Sequence, residues 1–224
     1  MYKFLKRLFD IIICLMAFPF FCIIWLFVAI LIKAEDKGPV FYKAERIGKD
    51  KKKILMYKFR SMRVNAPDIR NEDGNTYNGK DDPRVTKIGK FLRETSLDET
   101  AQILNVIKGD MSIIGPRASN WDELDGYLED ELDKLKVRPG ITGYVQAYYR
   151  NNATSHEKRL HDVWYVHNMS LGLDLKIFFK TIVVVLKREN IYAETSATAK
   201  QEAKAYAEKF SESKNISSQE VNKE

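Results

Sequence analysis

Residues 11–32, IIICLMAFPFFCIIWLFVAILI, form a run of 22 residues without a charged side chain. A helix rises 1.5 Å per residue, so this run would extend about 33 Å, which is enough to cross the hydrocarbon core of a bilayer. No other stretch of the 224-residue sequence is as long and as apolar, which excludes a polytopic membrane protein. We therefore predict that residues 1–33 form a membrane-inserted helix with a basic flank.

The residues around this run leave its topology open. Pro19 lies near the middle of the run, where a proline removes a backbone hydrogen bond and kinks a helix. Lys6 and Arg7 precede the run, and Lys33 and Lys37 follow it, so the positive-inside rule gives no orientation. Both a spanning helix and a re-entrant helix, which bends at Pro19 and returns to the same anionic surface, are compatible with this pattern.

The basic residues of the chain are concentrated near the membrane segment. Residues 1–63 contain 14 Lys and Arg against 5 Asp and Glu, whereas residues 64–224 contain 23 against 26. A nucleic-acid-binding domain would spread its basic excess over the folded surface, so we expect no nucleic-acid partner. Cys14 and Cys22, the two cysteines, both lie inside the apolar run, which excludes a disulfide framework and a structural zinc site.

The rest of the sequence predicts a mainly helical α/β domain over residues 34–192, with a few short strands. We expect a long polar surface loop over 65–82, strands near 40–42, over 54–59 and over 144–148, and helices near 85–92, from 96, and over 120–135, 157–168 and 171–187. The last of these helices is amphipathic and could lie on a membrane or face the core. Residues 193–224 are polar, which is typical of a mobile or loosely helical tail.

The candidate chemistry lies at Ser96-Leu97-Asp98-Glu99, which fits the capping-box pattern of a helix start. In that position the helix dipole would lower the pKa of Asp98 and keep the carboxylate ionised. Helix capping alone would explain the presence of Asp98 and Glu99 at this position. An ionised carboxylate is also a nucleophile, so a catalytic role for Asp98 is the alternative. Attack on a phosphate would require a divalent metal and cationic side chains nearby. The candidate cations are Lys58, Arg60, Arg93 and Arg117.

From about residue 6 to about residue 191 the chain resembles the bacterial sugar transferases. These are small monotopic phosphoglycosyl transferases, which begin glycan assembly on a polyprenol carrier. The motifs that carry the resemblance are Lys6-Arg7-Leu8-Phe9-Asp10, Gly38-Pro39-Val40-Phe41, Arg46-Ile47-Gly48, Tyr57-Lys58-Phe59-Arg60-Ser61-Met62, Thr95-Ser96-Leu97-Asp98-Glu99, Gly115-Pro116-Arg117 and Arg138-Pro139-Gly140.

The resemblance implies a reaction and a location. A nucleotide sugar, usually a UDP-sugar, gives its sugar phosphate to undecaprenyl phosphate with Mg²⁺ as the cofactor, and UMP leaves. This would be the first membrane step of capsule, exopolysaccharide, O-antigen or glycoprotein glycan assembly, with downstream glycosyltransferases as candidate partners. The expected location is the bacterial inner (cytoplasmic) membrane, among its lipids, with the catalytic domain on the cytosolic face.

The resemblance also assigns roles to individual residues. Asp98 would attack the sugar-bearing phosphate and carry it covalently, and Glu99 would help to organise the metal, so both are expected metal ligands. The expected substrate-binding residues are Lys58, Arg60, Arg93, Arg117 and Arg138.

Three positions depart from the family pattern. Relatives break the membrane helix at a Ser-Pro pair, which is Phe18-Pro19 here. Many relatives carry Pro-Arg-Pro where this chain has Pro116-Arg117-Ala118, and a Trp is common at Tyr144. The resemblance favours a re-entrant helix, with Phe18, Pro19, Lys6 and Arg7 as its membrane residues.

Two other functions are compatible with the same residues. A basic scaffold could bind anionic lipid at the membrane surface without chemistry, and it would not need Asp98 and Glu99 beside arginines. A metal-dependent phosphohydrolase would use the same two carboxylates but transfer the phosphate to water. The identity of the sugar does not follow from the sequence.

Overall fold

The computed structural model of the protein describes residues 2–72, 76–149, 153–188, 192 and 195–221. Its α-helices are α1 (Tyr2–Asp36), α2 (Lys87–Thr95), α3 (Ile103–Lys108), α4 (Tyr144–Tyr148), α5 (Ser155–His167), α6 (Leu171–Lys187) and α7 (Ala197–Val221). Its strands are β1 (Phe41–Ile47), β2 (Lys53–Phe59), β3 (Ser112–Ile114) and β4 (Gly140–Thr142). Short 3-10 helices occupy Lys49–Lys51, Leu97–Gln102, Trp121–Gly126 and Glu129–Lys136. The expectation of a mainly helical domain with few strands is confirmed.

The strands form two small sheets. β1 and β2 pair antiparallel, with Phe41 opposite Phe59 and Lys58 opposite Tyr42. β3 and β4 pair parallel, with Ser112 opposite Gly140. The two strands predicted before residue 60 are therefore present and form one hairpin.

One face of α1 packs against the domain along most of the helix. Cys14, Trp25, Val28 and Ile32 are buried in the main core cluster, and Phe18, Phe21 and Ile24 are partly buried beside it. Their spacing of three and four residues places them on one side of a helix. The opposite side exposes large apolar residues, among them Met16, Phe20, Ile23, Phe27 and Ile30. α1 is long and apolar enough to cross a membrane, and it continues through Pro19.

The N-terminal end of α1 is bonded to the domain. Arg7 Nη1 donates a 2.7 Å hydrogen bond to the carbonyl oxygen of Val106, in the last turn of α3. Ser112 Oγ donates to Asp10 Oδ2 at 2.7 Å, and Asp10 is buried. Lys6 Nζ also lies 2.6 Å from Asp174 Oδ2, so three of the four charged residues that precede the apolar run have specific partners in the domain.

The C-terminal end of α1 is bonded to the same domain. Glu35 accepts hydrogen bonds from the backbone N–H groups of Lys87 and Ile88, at the start of α2. Asp36 Oδ2 accepts a 2.6 Å bond from Arg60 Nη1, just after β2. Both ends of α1 are thus held by one folded unit.

Three predicted elements differ from the observed ones. The helix predicted from residue 96 is a 3-10 helix over Leu97–Gln102 that continues as α3. Residues 120–135 form two 3-10 helices instead of one helix, because Tyr127 and Leu128 have extended backbones and separate them. Residues Tyr144–Tyr148 form α4 instead of a strand. Val145 and Ala147 are both buried, and α4 contacts both α5 and α6. A five-residue helix enclosed on more than one side can bury alternate positions, which imitates the two-residue period of a strand.

The two C-terminal helices differ in what they expose. α6 buries Ile177 and Val184, while Phe178 and Phe179 are 40% and 62% exposed. The core-facing alternative for these two phenylalanines is therefore excluded. The composition of residues 193–224 predicts a mobile or loosely helical tail. In the structure this part of the chain contains α7, and Ala199 in the first turn of that helix is buried.

Candidate active site

Asp98 and Glu99 lie in the 3-10 helix that directly follows α2. The predicted capping box is wrong. Ser96 has a left-handed backbone, with φ of 57°, and its side chain makes no capping hydrogen bond. Its N–H instead donates to the carbonyl oxygen of Arg93, so Ser96 ends α2. A residue that closes one helix in this conformation cannot offer its side chain as the N-cap of the next.

The environment of Asp98 raises its pKa to about 6, contrary to the lowered pKa expected from a helix dipole. Burial is the largest cause, since only 8% of the residue is exposed. The charge of Lys58 lowers the pKa, that of Glu99 raises it, and that of Arg93 lowers it. A short 3-10 helix has few aligned peptide dipoles, so desolvation prevails. A carboxyl group with a pKa near 6 is still mostly ionised at neutral pH.

Lys58 and Glu99 form an ion pair at the edge of this site. Lys58 Nζ lies 2.7 Å from Glu99 Oε1, and both side chains are partly buried. Lys58 comes from β2 and Glu99 from the 3-10 helix, so the pair joins the hairpin to the carboxylate pair.

Arg93 reaches the same site from the last turn of α2. Its Nε donates a 2.9 Å bond to Ser61 Oγ, and its Nη1 donates a 3.3 Å bond to Asn78 Oδ1. Burial lowers the pKa of Arg93, and the charge of Asp98 opposes that shift. Within the described part of the chain, no carboxylate oxygen lies within 4.0 Å of this guanidinium. The group can therefore accept an added anion such as a phosphate.

Arg117 lies in the loop between β3 and the first 3-10 helix after it. Its backbone N–H donates a 3.0 Å bond to Asp162 Oδ2, and the same carboxylate oxygen is 3.1 Å from Lys134 Nζ. Lys134 also donates to Ser119 Oγ at 3.1 Å. The buried Asp162–Lys134 ion pair therefore fixes the segment 117–119 at both ends, Asp162 through Arg117 and Lys134 through Ser119. The segment is held in this way although Ala118 replaces the second proline of the family pattern. The side chain of Arg117 stays exposed and lines the cavity.

Arg46 is a cavity residue that the sequence did not single out as a site residue. It lies on β1 opposite Ile54, and its backbone pairs with that of Asn120. Burial and the charge of Arg117 lower the pKa of Arg46, which indicates two neighbouring cations. Its place in the Arg46-Ile47-Gly48 motif, which carries part of the family resemblance, was the sequence feature that could have identified Arg46 as a site residue.

The other two predicted substrate-binding arginines are engaged elsewhere. Arg60 is buried and lines the cavity, but its guanidinium bonds to Asp36, to the Pro39 carbonyl at 2.6 Å and to the Met62 carbonyl at 3.0 Å. Arg138 Nε donates a 2.7 Å bond to the carbonyl oxygen of Gly109, and Arg138 does not line the cavity that contains Asp98. The structure thus brings Lys58, Arg93 and Arg117 to the cavity that contains Asp98, whereas protein groups engage the Arg60 guanidinium and Arg138 lies outside the cavity lining.

The cavity lining includes both charged and apolar side chains. Asp98, Glu99, Lys58, Arg93 and Arg117 belong to it. So do apolar side chains of two helices, namely Ile13, Cys14, Ala17 and Phe21 of α1 and Phe178 and Ile182 of α6. The arrangement can hold a phosphate group beside a carboxylate and an apolar chain beside the membrane helix.

Asp98 and Glu99 are suitable donors for a hard divalent cation. Mg²⁺ is usually bound by one or two carboxylates together with substrate phosphates, and two adjacent carboxylates fit that requirement. Over the described residues, no cluster of three or more His, Cys, Asp or Glu side chains could form an all-protein metal cage. The residues present therefore fit a metal held jointly by protein and substrate.

The chain is similar to several sugar phosphotransferases and exopolysaccharide production proteins. It is 40% identical over 205 residues to the undecaprenyl-phosphate galactose phosphotransferase of Salmonella typhimurium, covering 85% of this chain and 42% of that protein. It is 39% identical over 191 residues to the UDP-N-acetylgalactosamine-undecaprenyl-phosphate N-acetylgalactosaminephosphotransferase of Aeromonas hydrophila, covering 83% and 44%. The chain therefore spans less than half the length of these relatives.

A shorter relative is matched over almost its whole length. The exopolysaccharide production protein PSS of Rhizobium leguminosarum is 40% identical over 195 residues, which cover 82% of this chain and 96% of that protein. The profile of the family described as bacterial sugar transferase matches residues 1–188. Since that match includes the membrane helix, the hairpin and the whole carboxylate site, the chain belongs to the bacterial sugar transferase family.

Proposed function

We propose that the protein transfers a sugar 1-phosphate from a nucleotide sugar, expected to be a UDP-sugar, to undecaprenyl phosphate and releases UMP. The observation that carries this proposal is the placement of Asp98. It is buried, mostly ionised at neutral pH, and lines one cavity with Lys58, Arg93 and Arg117. The names of the Salmonella and Aeromonas relatives agree with this class of reaction.

The proposed reaction has two displacement steps at one phosphorus atom. A carboxylate oxygen of Asp98 attacks the sugar-bearing phosphate, the bond from that phosphorus to the bridging oxygen breaks, and UMP leaves with the bond's electrons. A phosphate oxygen of undecaprenyl phosphate then attacks the same phosphorus and displaces the Asp98 carboxylate. The product is a polyprenyl diphosphate that carries the sugar, and Asp98 returns to its starting state.

The cationic side chains lower the cost of bringing anions together. A carboxylate and a diphosphate repel each other, so the attack needs positive charge at the phosphate oxygens. Arg93 lies beside Asp98 and has a guanidinium that can bind two oxygens at once. Arg46 and Arg117 form a second cationic position in the same cavity, suited to the nucleotide phosphate.

Mg²⁺ is the cofactor that we propose, with Asp98 and Glu99 as its protein ligands. When bound, the ion supplies positive charge that polarises the phosphoryl oxygens. Lys58 holds Glu99 at 2.7 Å and so fixes the direction of that carboxylate.

The acceptor must reach the site from the bilayer, and two helices are placed to provide this route. Apolar residues of α1 and α6 line the cavity that contains Asp98. We infer that α1 is re-entrant and that the domain lies on the cytosolic face of the inner membrane. The support is that Arg7 and Asp10 at one end of α1 and Glu35 and Asp36 at the other bond to the same domain. The product would be consumed by glycosyltransferases that extend a lipid-linked sugar.

A UMP-release assay tests the proposal. Purified protein in detergent is incubated with a UDP-sugar, undecaprenyl phosphate and Mg²⁺, and we expect sustained UMP release that stops when the lipid or the metal is omitted. Sustained release without the lipid would indicate a phosphohydrolase, and no release with any member of a panel of UDP-sugars would indicate a non-enzymatic scaffold. The same panel identifies the sugar.

A further inference from the structure

Helix α7 lies beyond the family match, which ends at residue 188, and packs on the polar segment 65–82. Ala199 and Ala203 are 0% and 2% exposed, and they form a small buried cluster with Ile69 and Tyr77 of that segment. The two alanines are four residues apart, so they lie on one face of the helix. Their small side chains allow a close approach of the helix to the segment.

Polar and aromatic contacts extend this packing along α7. The backbone N–H of Ser196 donates a 3.1 Å bond to Asn71 Oδ1, and Thr198 Oγ1 donates a 3.2 Å bond to Glu72 Oε1. Further along the helix, the guanidinium of Arg63 lies 4.2 Å from the centre of the Phe210 ring. The contacts thus reach from the start of α7 to its fourth turn.

The segment has little regular structure of its own to hold it. Among its described residues, two backbone interactions join one part of the segment to another. Tyr77 N–H donates a 2.9 Å hydrogen bond to the Ile69 carbonyl oxygen, and Arg70 forms an isolated β-bridge with Thr76. Arg84, a buried residue, pairs with Asp82 and donates to the carbonyl oxygens of Pro67 and Tyr77, and Arg70 pairs with Asp122 at 2.8 Å. A polar segment held by side-chain contacts rather than by regular secondary structure depends on its packing partners for a defined position.

A hydrogen bond joins the segment to a cation of the candidate active site, and several described residues of the segment, among them Tyr77 and Asn78, line the same cavity. Asn78 follows Tyr77 directly, and its Oδ1 accepts the 3.3 Å bond from Arg93 Nη1. Arg93, in the last turn of α2, and Asp98, in the 3-10 helix that follows, line the same cavity. A shift of the segment would therefore move the acceptor that helps to orient Arg93.

We propose that α7 is a clamp that holds segment 65–82 against the domain and, through Asn78, keeps Arg93 oriented beside Asp98. Ala199 and Ala203 are then positioning residues that act through Ile69 and Tyr77. The catalytic consequence rests on the proposed transferase function, whereas the mechanical part of the proposal does not.

The test compares two substitutions on the same helix in the full chain. Ala203→Glu introduces a charged side chain into the buried contact. Ala205→Glu introduces the same side chain, with the same helix propensity, at an exposed position. We expect amide hydrogen exchange at Tyr77 to become about tenfold faster in the first variant and to stay within about twofold of the parent in the second. The transfer rate should fall about three- to tenfold in the first variant, with a smaller change in the KM for the donor.

Two further measurements separate a loosened clamp from general unfolding. Exchange in the β1–β2 hairpin should not change in Ala203→Glu. If exchange in the hairpin does rise, Ala203→Glu is replaced in the comparison by Phe210→Ala, which removes the ring that packs on Arg63 and Tyr206 and adds no buried charge. Unchanged exchange at Tyr77 would overturn the clamp, and faster exchange with a normal transfer rate would overturn its link to Arg93. A parent protein without UMP release would refute the proposed function alone, since the exchange comparison still tests the clamp.

Discussion

Lys58 Nζ lies 2.7 Å from Glu99 Oε1, and its charge also lowers the pKa of the neighbouring Asp98, more strongly than the charge of Arg93 does. The two adjacent carboxylates thus share a cation but differ in exposure, since Asp98 is buried and Glu99 is only partly buried. Lys58 balances the charge of Glu99, which weakens its repulsion of Asp98, and burial keeps the pKa of Asp98 well above its usual value. This division suits a pair in which one carboxylate reacts and the other supports a metal.

Glu99→Gln tests the supporting role. The amide keeps an acceptor for Lys58 but loses the charge that would attract a cation. We expect transfer to require about tenfold more Mg²⁺ for half-maximal activity. Glu94→Gln is the control, since Glu94 bonds to Tyr192 and Arg188 away from the carboxylate pair. A magnesium titration identical to that of the parent would count against a metal role for Glu99.

Asp98→Asn removes the proposed nucleophile. We expect the transfer rate to fall by about 10³-fold or more, which corresponds to about 4 kcal/mol. Folding should be preserved, because a neutral amide in a buried position avoids the desolvation that raises the pKa of Asp98. The control is Asp125→Asn, at an exposed position of the first 3-10 helix after Arg117. Activity within tenfold of the parent would exclude covalent catalysis by Asp98.

The topology of α1 can be measured with single cysteines. Lys3→Cys and Lys37→Cys are introduced separately into a chain without Cys14 and Cys22, and intact spheroplasts are treated with a membrane-impermeant thiol reagent. We expect neither position to react from outside, because both ends of α1 bond to the same domain. Labelling at position 3 would show that the helix spans, and Pro19→Ala should favour that spanning form.

The exposed phenylalanines of α6 are expected to dock on the membrane. Phe178→Glu combined with Phe179→Glu should impair transfer to a membrane-embedded acceptor at least about tenfold more than transfer to a short, soluble polyprenyl phosphate. The melting temperature should change little, because both side chains are at least 40% exposed. An equal loss with both acceptors and an unchanged melt would reject membrane docking by this helix.

The contact between Asp36 and Arg60 should make stability depend on pH. The hydrogen bond from Arg60 holds the pKa of Asp36 below its ordinary value of 3.8. A carboxyl group whose folded pKa is lowered contributes stability above the ordinary pKa, and that contribution is lost as the pH falls through the folded pKa. Asp36→Asn leaves a buried guanidinium with a weaker partner, so we expect a loss of about 2 kcal/mol in the free energy of unfolding at pH 7. The difference between variant and parent should shrink below pH 4; a constant difference would contradict the ion-pair explanation.

Several features follow from local sequence alone. The apolar run around Pro19 and the strand-turn-strand pattern that ends at Phe59 predict α1 and the hairpin, because hydrophobic length and turn residues act over a few positions. Asp98-Glu99 and Arg117 were likewise found in short motifs. The sequence therefore located the two carboxylates and some of the cations that line one cavity, namely Lys58, Arg60, Arg93 and Arg117.

The tertiary structure alone decided the environment of these carboxylates and cations. The raised pKa of Asp98 comes mainly from burial, and the engagement of Arg60 by Asp36 joins residues 24 positions apart. The buried cluster of Ala199 and Ala203 with Ile69 and Tyr77 joins parts of the chain that no local pattern connects. Desolvation and contact depend on which distant segments lie against a residue in the folded chain, whereas periodicity and capping patterns report only the few residues on either side.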